Sequence, residues 1–210
     1  MLIGTLEAVR RYPIKSLRGV ALDSVKVEVS GIPGDRSGAL FALQGAREGK
    51  TYRGKEHDRL HLLRDAADAQ ACAQERGVRA EVRRGEHFFD DAPISILVDE
   101  WLRELDAYLG YNIEWERFRP NFFVRGCEGG ADPVPLEQTL VDARLQLGTV
   151  RLRVRSPIER CVTVTYHPLG ETSDPQILRF LAAQRNAWMG IYCDVLEPGI
   201  VAVGDPLVLL

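Results

Sequence analysis

The 210-residue sequence predicts a mainly β, α+β protein: a mixed, barrel-like sheet with about three inserted helices. Three observations lead there. Short stretches of period-two alternation recur along the whole chain, only three stretches carry helical spacing, and the two kinds do not alternate regularly. The last point argues against a doubly wound parallel sheet.

Residues 2–9, 20–29 and 39–43 alternate as strands, separated by turn signals at Arg18-Gly19 and across Gly31-Ile32-Pro33-Gly34-Asp35. Residues 62–76 are Ala-rich and read as a weakly amphipathic helix. In residues 94–109, Ile94, Leu97, Val98, Trp101, Leu105, Tyr108 and Leu109 recur three and four apart, which predicts a second helix stopped by Gly110. Strands resume at 122–124 and 145–154, the latter turning at Gly148-Thr149. A strand is then expected through residues 161–166, with Cys161, Thr163 and Thr165 on one face and Val162, Val164 and Tyr166 on the other. Asp174-Pro175 starts a third helix that reaches about residue 186, the Asp capping and the Pro filling the first helical position. Strands at 190–196 and 200–209 follow.

Composition narrows the function classes. The chain is 45% hydrophobic and 27% charged, as globular proteins are. A net charge of −3 gives no general attraction to nucleic acid. No apolar run approaches the roughly 18 residues of a membrane span, and residues 1–7 alternate like a strand rather than a signal peptide. The expectation is a soluble, cytoplasmic protein. Cys72, Cys127, Cys161 and Cys193 form neither a C-x-x-C pair nor a ferredoxin-type run, which argues against a zinc ribbon and an iron–sulfur cluster. Cys72 and Cys193 read as core, and Cys127, before the Gly129-Gly130 pair, as an exposed loop thiol.

Cys161 differs because of its neighbours: Arg160 precedes it and Thr163 and Thr165 follow. A cationic neighbour favours the thiolate, the form that binds metals or attacks electrophiles. A small buried hydrophobe is the ordinary alternative for a lone cysteine. Tyr12-Pro13-Ile14-Lys15-Ser16 offers a cation and a hydroxyl in one turn, suited to a phosphate or carboxylate. Gly34-Asp35-Arg36 sits in a second turn, a common sequence with little specificity on its own. Arg117-Phe118-Arg119-Pro120-Asn121 is expected to put two guanidiniums on one face and Phe118 on the other. Arg151, Arg153 and Arg155 alternate along a strand and form either a solvated face or the lining of an anion cavity. Asp90-Asp91-Ala92-Pro93 suits a helix cap or a site equally. His57 and His61 stand at i, i+4 but have no third ligand at matching spacing, so they do not read as a metal pair.

Taken in order, Tyr12 to Ser16, Gly34-Asp35-Arg36, Asp91-Ala92-Pro93, Arg117 to Asn121, Glu159-Arg160-Cys161, Gly190-Ile191-Tyr192 and Val203-Gly204-Asp205-Pro206 resemble the MOSC family. That family is named for the C-terminal domain of molybdenum cofactor sulfurase. Residues 1–115 resemble the N-terminal β-barrel region that accompanies MOSC domains in amidoxime-reducing enzymes, and residues 116–210 resemble MOSC proper; the two can form one compact unit. The resemblance implies binding of molybdenum cofactor, a molybdopterin dithiolene. Cys161 would be the catalytic thiolate and metal ligand, a soft donor suited to such a site. Lys15, Ser16, Arg36, Arg117, Asn121 and Arg160 would bind the cofactor. The implied activity is a molybdenum-dependent oxidoreductase that reduces small N-hydroxylated compounds. Its electrons would come from a separate donor protein, with no pyridoxal phosphate and no iron–sulfur cluster in this chain. The alternative is a carrier of persulfide sulfur, or of the cofactor itself. Two segments depart from the pattern: residues 136–142 replace an acidic-Trp segment, and residues 51–61 match poorly.

Overall fold

A computed structural model describes residues 1–85, 87–127 and 133–210. The Gly129-Gly130 pair flagged in the sequence lies outside the described residues. In chain order the strands are β1 (Leu2–Arg11), β2 (Val20–Leu22), β3 (Ser24–Val27), β4 (Gly38–Ala42), β5 (Ala80–Arg84) and β6 (Ile94–Val98). They continue with β7 (Phe122–Gly126), β8 (Arg144–Leu147), β9 (Val150–Glu159), β10 (Trp188–Glu197), β11 (Gly199–Ala202) and β12 (Pro206–Leu209). The α-helices are α1 (Ala66–Glu75), α2 (Arg103–Leu109) and α3 (Pro175–Gln184).

Seven strands close on themselves in the order β12-β8-β9-β10-β6-β7-β1, with β12 pairing back onto β1. Neighbours run antiparallel except β6 and β7. Closure leaves the ring without a free edge to template aggregation. The far end of β1 carries β2, while β3–β11 and β4–β5 form separate two-stranded sheets. The mixed barrel with three helices is therefore the fold class read from the sequence. Strands from both ends of the chain build the ring, since β1 lies between β12 and β7. No helix among the described residues is long and apolar enough to cross a membrane.

Two apolar clusters hold the fold. The larger fills the barrel with Leu6, Ile96, Phe122, Leu152, Leu181 and Ile191, among others. The smaller packs Ile14, Leu17, Leu40, Tyr52, Leu60, Ala69, Cys72 and Ala73 between α1 and the β4–β5 sheet. Both Asp-initiated helices form as their sequences direct. Asp65 accepts from the Ala67 amide at 2.7 Å, and Asp174 from that of Gln176 at 2.8 Å. Cys72 and Cys193 are buried.

Two expectations fail, and one open alternative is decided. Residues 94–109 are not one helix: β6 gives way to a 3-10 turn over Asp99–Leu102 and then to α2. All five β6 residues are buried, and a strand covered on both faces is continuously apolar, so its spacing imitates a helix. The β-branched Ile94, Ile96 and Val98 favour the strand. Residues 161–166 are not a strand either. Val162–Thr165 is a 3-10 turn that begins at Cys161, just past the end of β9. The arginine face of β9 lines no cavity: Arg151 pairs with Glu197, Arg153 with Asp194, and Arg155 with Asp194 and Asp91. β5, not expected as a strand from the sequence, pairs antiparallel with β4.

Barrel closure draws β1 and β7 together most tightly at Gly4, where an added Cβ would lie 2.2 Å from the Arg125 carbonyl oxygen. Gly4→Ala is expected to force the two strands apart and lower stability by about 1–3 kcal/mol, as overpacking does. A urea-unfolding midpoint equal to that of the parent would contradict this account.

Candidate functional site

One end of the barrel opens into a cleft of about 1150 Å³. Its walls come from the end of β1, the turns at residues 15–21 and 36, the loop at 53–64, the turn at 114–119 and the segment 156–169. Ten Lys or Arg side chains line it against five Asp or Glu, although the chain as a whole carries −3. A cationic hollow in an anionic protein focuses its field on an anionic ligand. Three of the six non-glycine residues with positive φ stand in this wall: Ser16 (70°), Arg36 (46°) and Arg119 (52°). Such backbone strain concentrates at ligand sites.

Tyr12 is the pivot of the cation cluster. The Arg36 and Arg119 guanidiniums lie 4.8 and 4.4 Å from its ring centroid. Its hydroxyl donates to the Pro120 carbonyl at 3.1 Å. Asp35, buried, accepts from the Tyr12 amide at 2.6 Å and from Arg36 Nη1 at 2.5 Å. Burial pulls Arg36 down, but the Asp35 carboxylate outweighs it and holds the group above its ordinary value. Among the described residues Arg119 has no carboxylate partner; Nη2 donates to the Leu17 carbonyl at 2.6 Å. Desolvation pulls it down to about 10, so it stays cationic at neutral pH.

Arg160 enters from the other side. Nε donates to the Met189 carbonyl at 2.7 Å and Nη1 to that of Phe118 at 2.8 Å. Nη2 is buried and has no partner. Desolvation brings this group, too, down to about 10. Gly190 makes the space: its φ is 87°, and a Cβ there would lie 2.8 Å from the Ile96 carbonyl and 3.1 Å from Arg160 Nη2.

Cys161 follows directly and is exposed. The 3-10 turn, rather than a strand face, sets its surroundings. Its Sγ lies 3.2 Å from Thr163 Oγ1, whereas Thr165 is buried and donates to the Val162 carbonyl at 2.7 Å. The Lys15-Ser16 turn lies close by. A Cβ built on Gly54 would sit 3.1 Å from Thr163 Cγ2 and 3.9 Å from Ser16 Oγ, so both side chains converge on that glycine. Lys15 Nζ is held by Asp90 Oδ1 at 2.6 Å.

Arg117 and Arg119 do not share a face. The chain turns through a 3-10 segment at Trp115–Phe118, which sends Arg117 toward the Cys161 turn. There Nη1 donates to the Thr165 carbonyl at 2.8 Å and Nε to Glu114 Oε2 at 2.7 Å. Glu114 Oε1 in turn lies 3.3 Å from His167 Nε2. Asn121 is fully buried behind the cleft. Its Oδ1 accepts from the Ser95 amide, Ser95 Oγ and Arg36 Nη1, and its Nδ2 donates to the Arg10 carbonyl. Lys15, Ser16, Arg36, Arg117, Arg160 and Cys161 thus line one cleft. Sequence reasoning missed Tyr12 as the shared aromatic face, and Tyr192 in the lining. It also missed His61, stacked on Tyr166 at 5.5 Å, with Nε2 2.8 Å from the His167 carbonyl. These contacts span up to about a hundred residues of sequence, beyond any local pattern.

Asp35→Ala is expected to cost roughly 2–4 kcal/mol in denaturant unfolding, because it leaves the buried Tyr12 amide without its acceptor and a partly buried guanidinium without its carboxylate. A loss below about 1 kcal/mol would show that Arg36 does not depend on this carboxylate.

Comparison with known proteins accords with this geometry. The MOSC N-terminal beta barrel domain matches residues 3–89, and the MOSC domain matches residues 83–208. Human mitochondrial amidoxime-reducing component 1 is 28% identical over 136 residues, which are 59% of this chain and 38% of that protein. Human mitochondrial amidoxime reducing component 2 is 28% identical over 131 residues, 56% of this chain and 37% of its own length. The chain therefore spans less than half of these curated relatives. Among solved structures, the YUAD protein from Bacillus subtilis superposes with a TM-score of 0.59 at 20% identity, covering 98% of this chain and 94% of that one, a likeness of fold. With the MOSC domain matched over more than half its length, this chain belongs to the MOSC family.

Proposed function

We propose that this protein binds molybdenum cofactor and reduces small N-hydroxylated compounds, with electrons supplied by a separate redox protein. One observation carries the reading: an exposed cysteine sulfur follows an arginine whose buried Nη2 has no partner among the described residues, in a cleft where cations outnumber acids two to one. An orphaned buried donor is costly unless a ligand satisfies it. The donor set fits a phosphorylated, sulfur-rich group. Arg36, Arg119, Arg160, Lys15 and Ser16 would hold the phosphate and heteroaromatic ring, and Cys161 would ligate the metal as a soft thiolate. When bound, that group supplies a metal centre able to accept oxygen from an N–O bond. The similarity to amidoxime-reducing components supports the same substrate class.

The residues of the chain do the rest. Arg36 and Arg119, clamped on Tyr12, are already in place before a ligand arrives, which reduces the ordering cost of binding. Reduction of R–NHOH to R–NH₂ and water consumes two electrons and two protons. His167, whose Nδ1 accepts from the Leu169 amide at 3.2 Å, brings Nε2 within 3.3 Å of Glu114 Oε1 at the cleft wall, where the pair can pass a proton. The electrons come from the separate donor, as the described residues hold no clustered cysteines.

Protein loaded with cofactor and given a reduced donor is expected to reduce an amidoxime or hydroxylaminopurine. Cys161→Ser should lower that rate by about two orders of magnitude or more, an effect of about 2.7 kcal/mol. Wild-type protein that holds molybdenum by elemental analysis yet reduces neither compound would overturn the enzyme reading. A persulfide on Cys161 without molybdenum would point instead to a sulfur carrier.

A further inference from the structure

Outside the cleft, His57, Cys72 and Glu75 bring one ligand atom each to within 4.8 Å of one another. None of the three lines the cleft. Cys72 and Glu75 stand three apart on α1, so both project from one helical face. His57 reaches them from the preceding loop, its Nε2 3.3 Å from Cys72 Sγ. His57 and Cys72 are 2% and 3% exposed, whereas the Glu75 side chain is 54% exposed and leaves a way in from solvent. We infer that these residues form a binding site for a divalent ion of the zinc class, with a fourth position open to water.

The chemistry supports that ion. Imidazole, thiolate and carboxylate are the donors zinc takes, and bond lengths of about 2.0 and 2.3 Å at a tetrahedral centre put nitrogen and sulfur about 3.5 Å apart. The observed 3.3 Å needs little adjustment. In the structure the Arg59 amide donates to Nδ1 at 3.2 Å, which leaves the ring proton on Nε2. A metal at Nε2 requires the ring proton on Nδ1, so the Arg59 amide gives up Nδ1 as its acceptor and Asp58 Oδ1, 3.5 Å away, accepts from Nδ1–H instead, the carboxylate support metal-bound histidines commonly have. The Cys72 S–H bond breaks, a sulfur–metal bond forms, and one proton leaves to solvent. Arg59, which now holds Glu75 at 2.8 Å, also reaches Glu171 at 3.4 Å and keeps that partner when Glu75 turns to the ion. Such an ion would pin residues 53–61, of which Arg53, Gly54, Lys55 and His61 form part of the cleft wall.

The test titrates chelator-stripped full-length protein with Co²⁺ and then Zn²⁺. Wild type and Cys161→Ser should both bind one equivalent with a thiolate-to-cobalt charge-transfer band, release one proton per ion, and lose the band to Zn²⁺. Cys72→Ala should lose the band. Glu75→Gln, at the surface, should weaken binding by about tenfold or more. No band in the wild type, or a band that survives Cys72→Ala, would overturn the site. Where Cys72→Ala fails to fold, Glu75→Gln decides: affinity within about twofold of the parent refutes the proposal.

Discussion

The sandwich of Tyr12 between Arg36 and Arg119 is the contact on which the cleft rests. It joins three distant stretches of chain: the end of β1, the turn at residues 34–36 and the turn that leads into β7. Two guanidiniums brought this close repel each other. The aromatic face, the single carboxylate of Asp35 and carbonyls that accept from them offset that repulsion. Remove one of these and the others lose their reason to stay. The strained backbone at Arg36 and Arg119 fits this view, because each residue is held by its side-chain contacts rather than by local preference.

How much of this was legible in the sequence depended on the range of the signal. Local chemistry is legible: Asp174 as a helix start, Gly148 as a turn, and the turns that carry Lys15 and Arg36. Those readings need only a few neighbouring residues. The failures came where tertiary burial overrides local pattern. Ile94 to Val98, one of the ring's own strands, is buried on both faces and apolar but for Ser95, and a fully buried strand has no period with which to announce itself. Val162 to Thr165 has strong strand propensity, yet the chain has to leave the barrel there, and a short turn prevails.

The site shows the same division. Six of the seven residues proposed for it converge on one cleft, although sequence spacing alone gave no reason for the turns to meet. Asn121 lies instead beneath the surface, where its amide ties Ser95 on β6, Arg10 on β1 and the Arg36 guanidinium together. A motif position can matter because it builds the wall rather than faces the ligand. The His57 cluster teaches a related lesson. Spacing rules looked for a partner at i+4, whereas the structure supplies thiol and carboxylate from a helix more than a dozen residues further on.

Arg119 and Arg160 donate to main-chain carbonyls and pair with no carboxylate among the described residues. A carbonyl dipole satisfies geometry but cancels no charge. The folded protein therefore keeps a reservoir of uncompensated positive potential at one mouth of its barrel. An arriving anion relieves tension already built into the scaffold, so occupancy and resistance to unfolding are thermodynamically linked in this molecule.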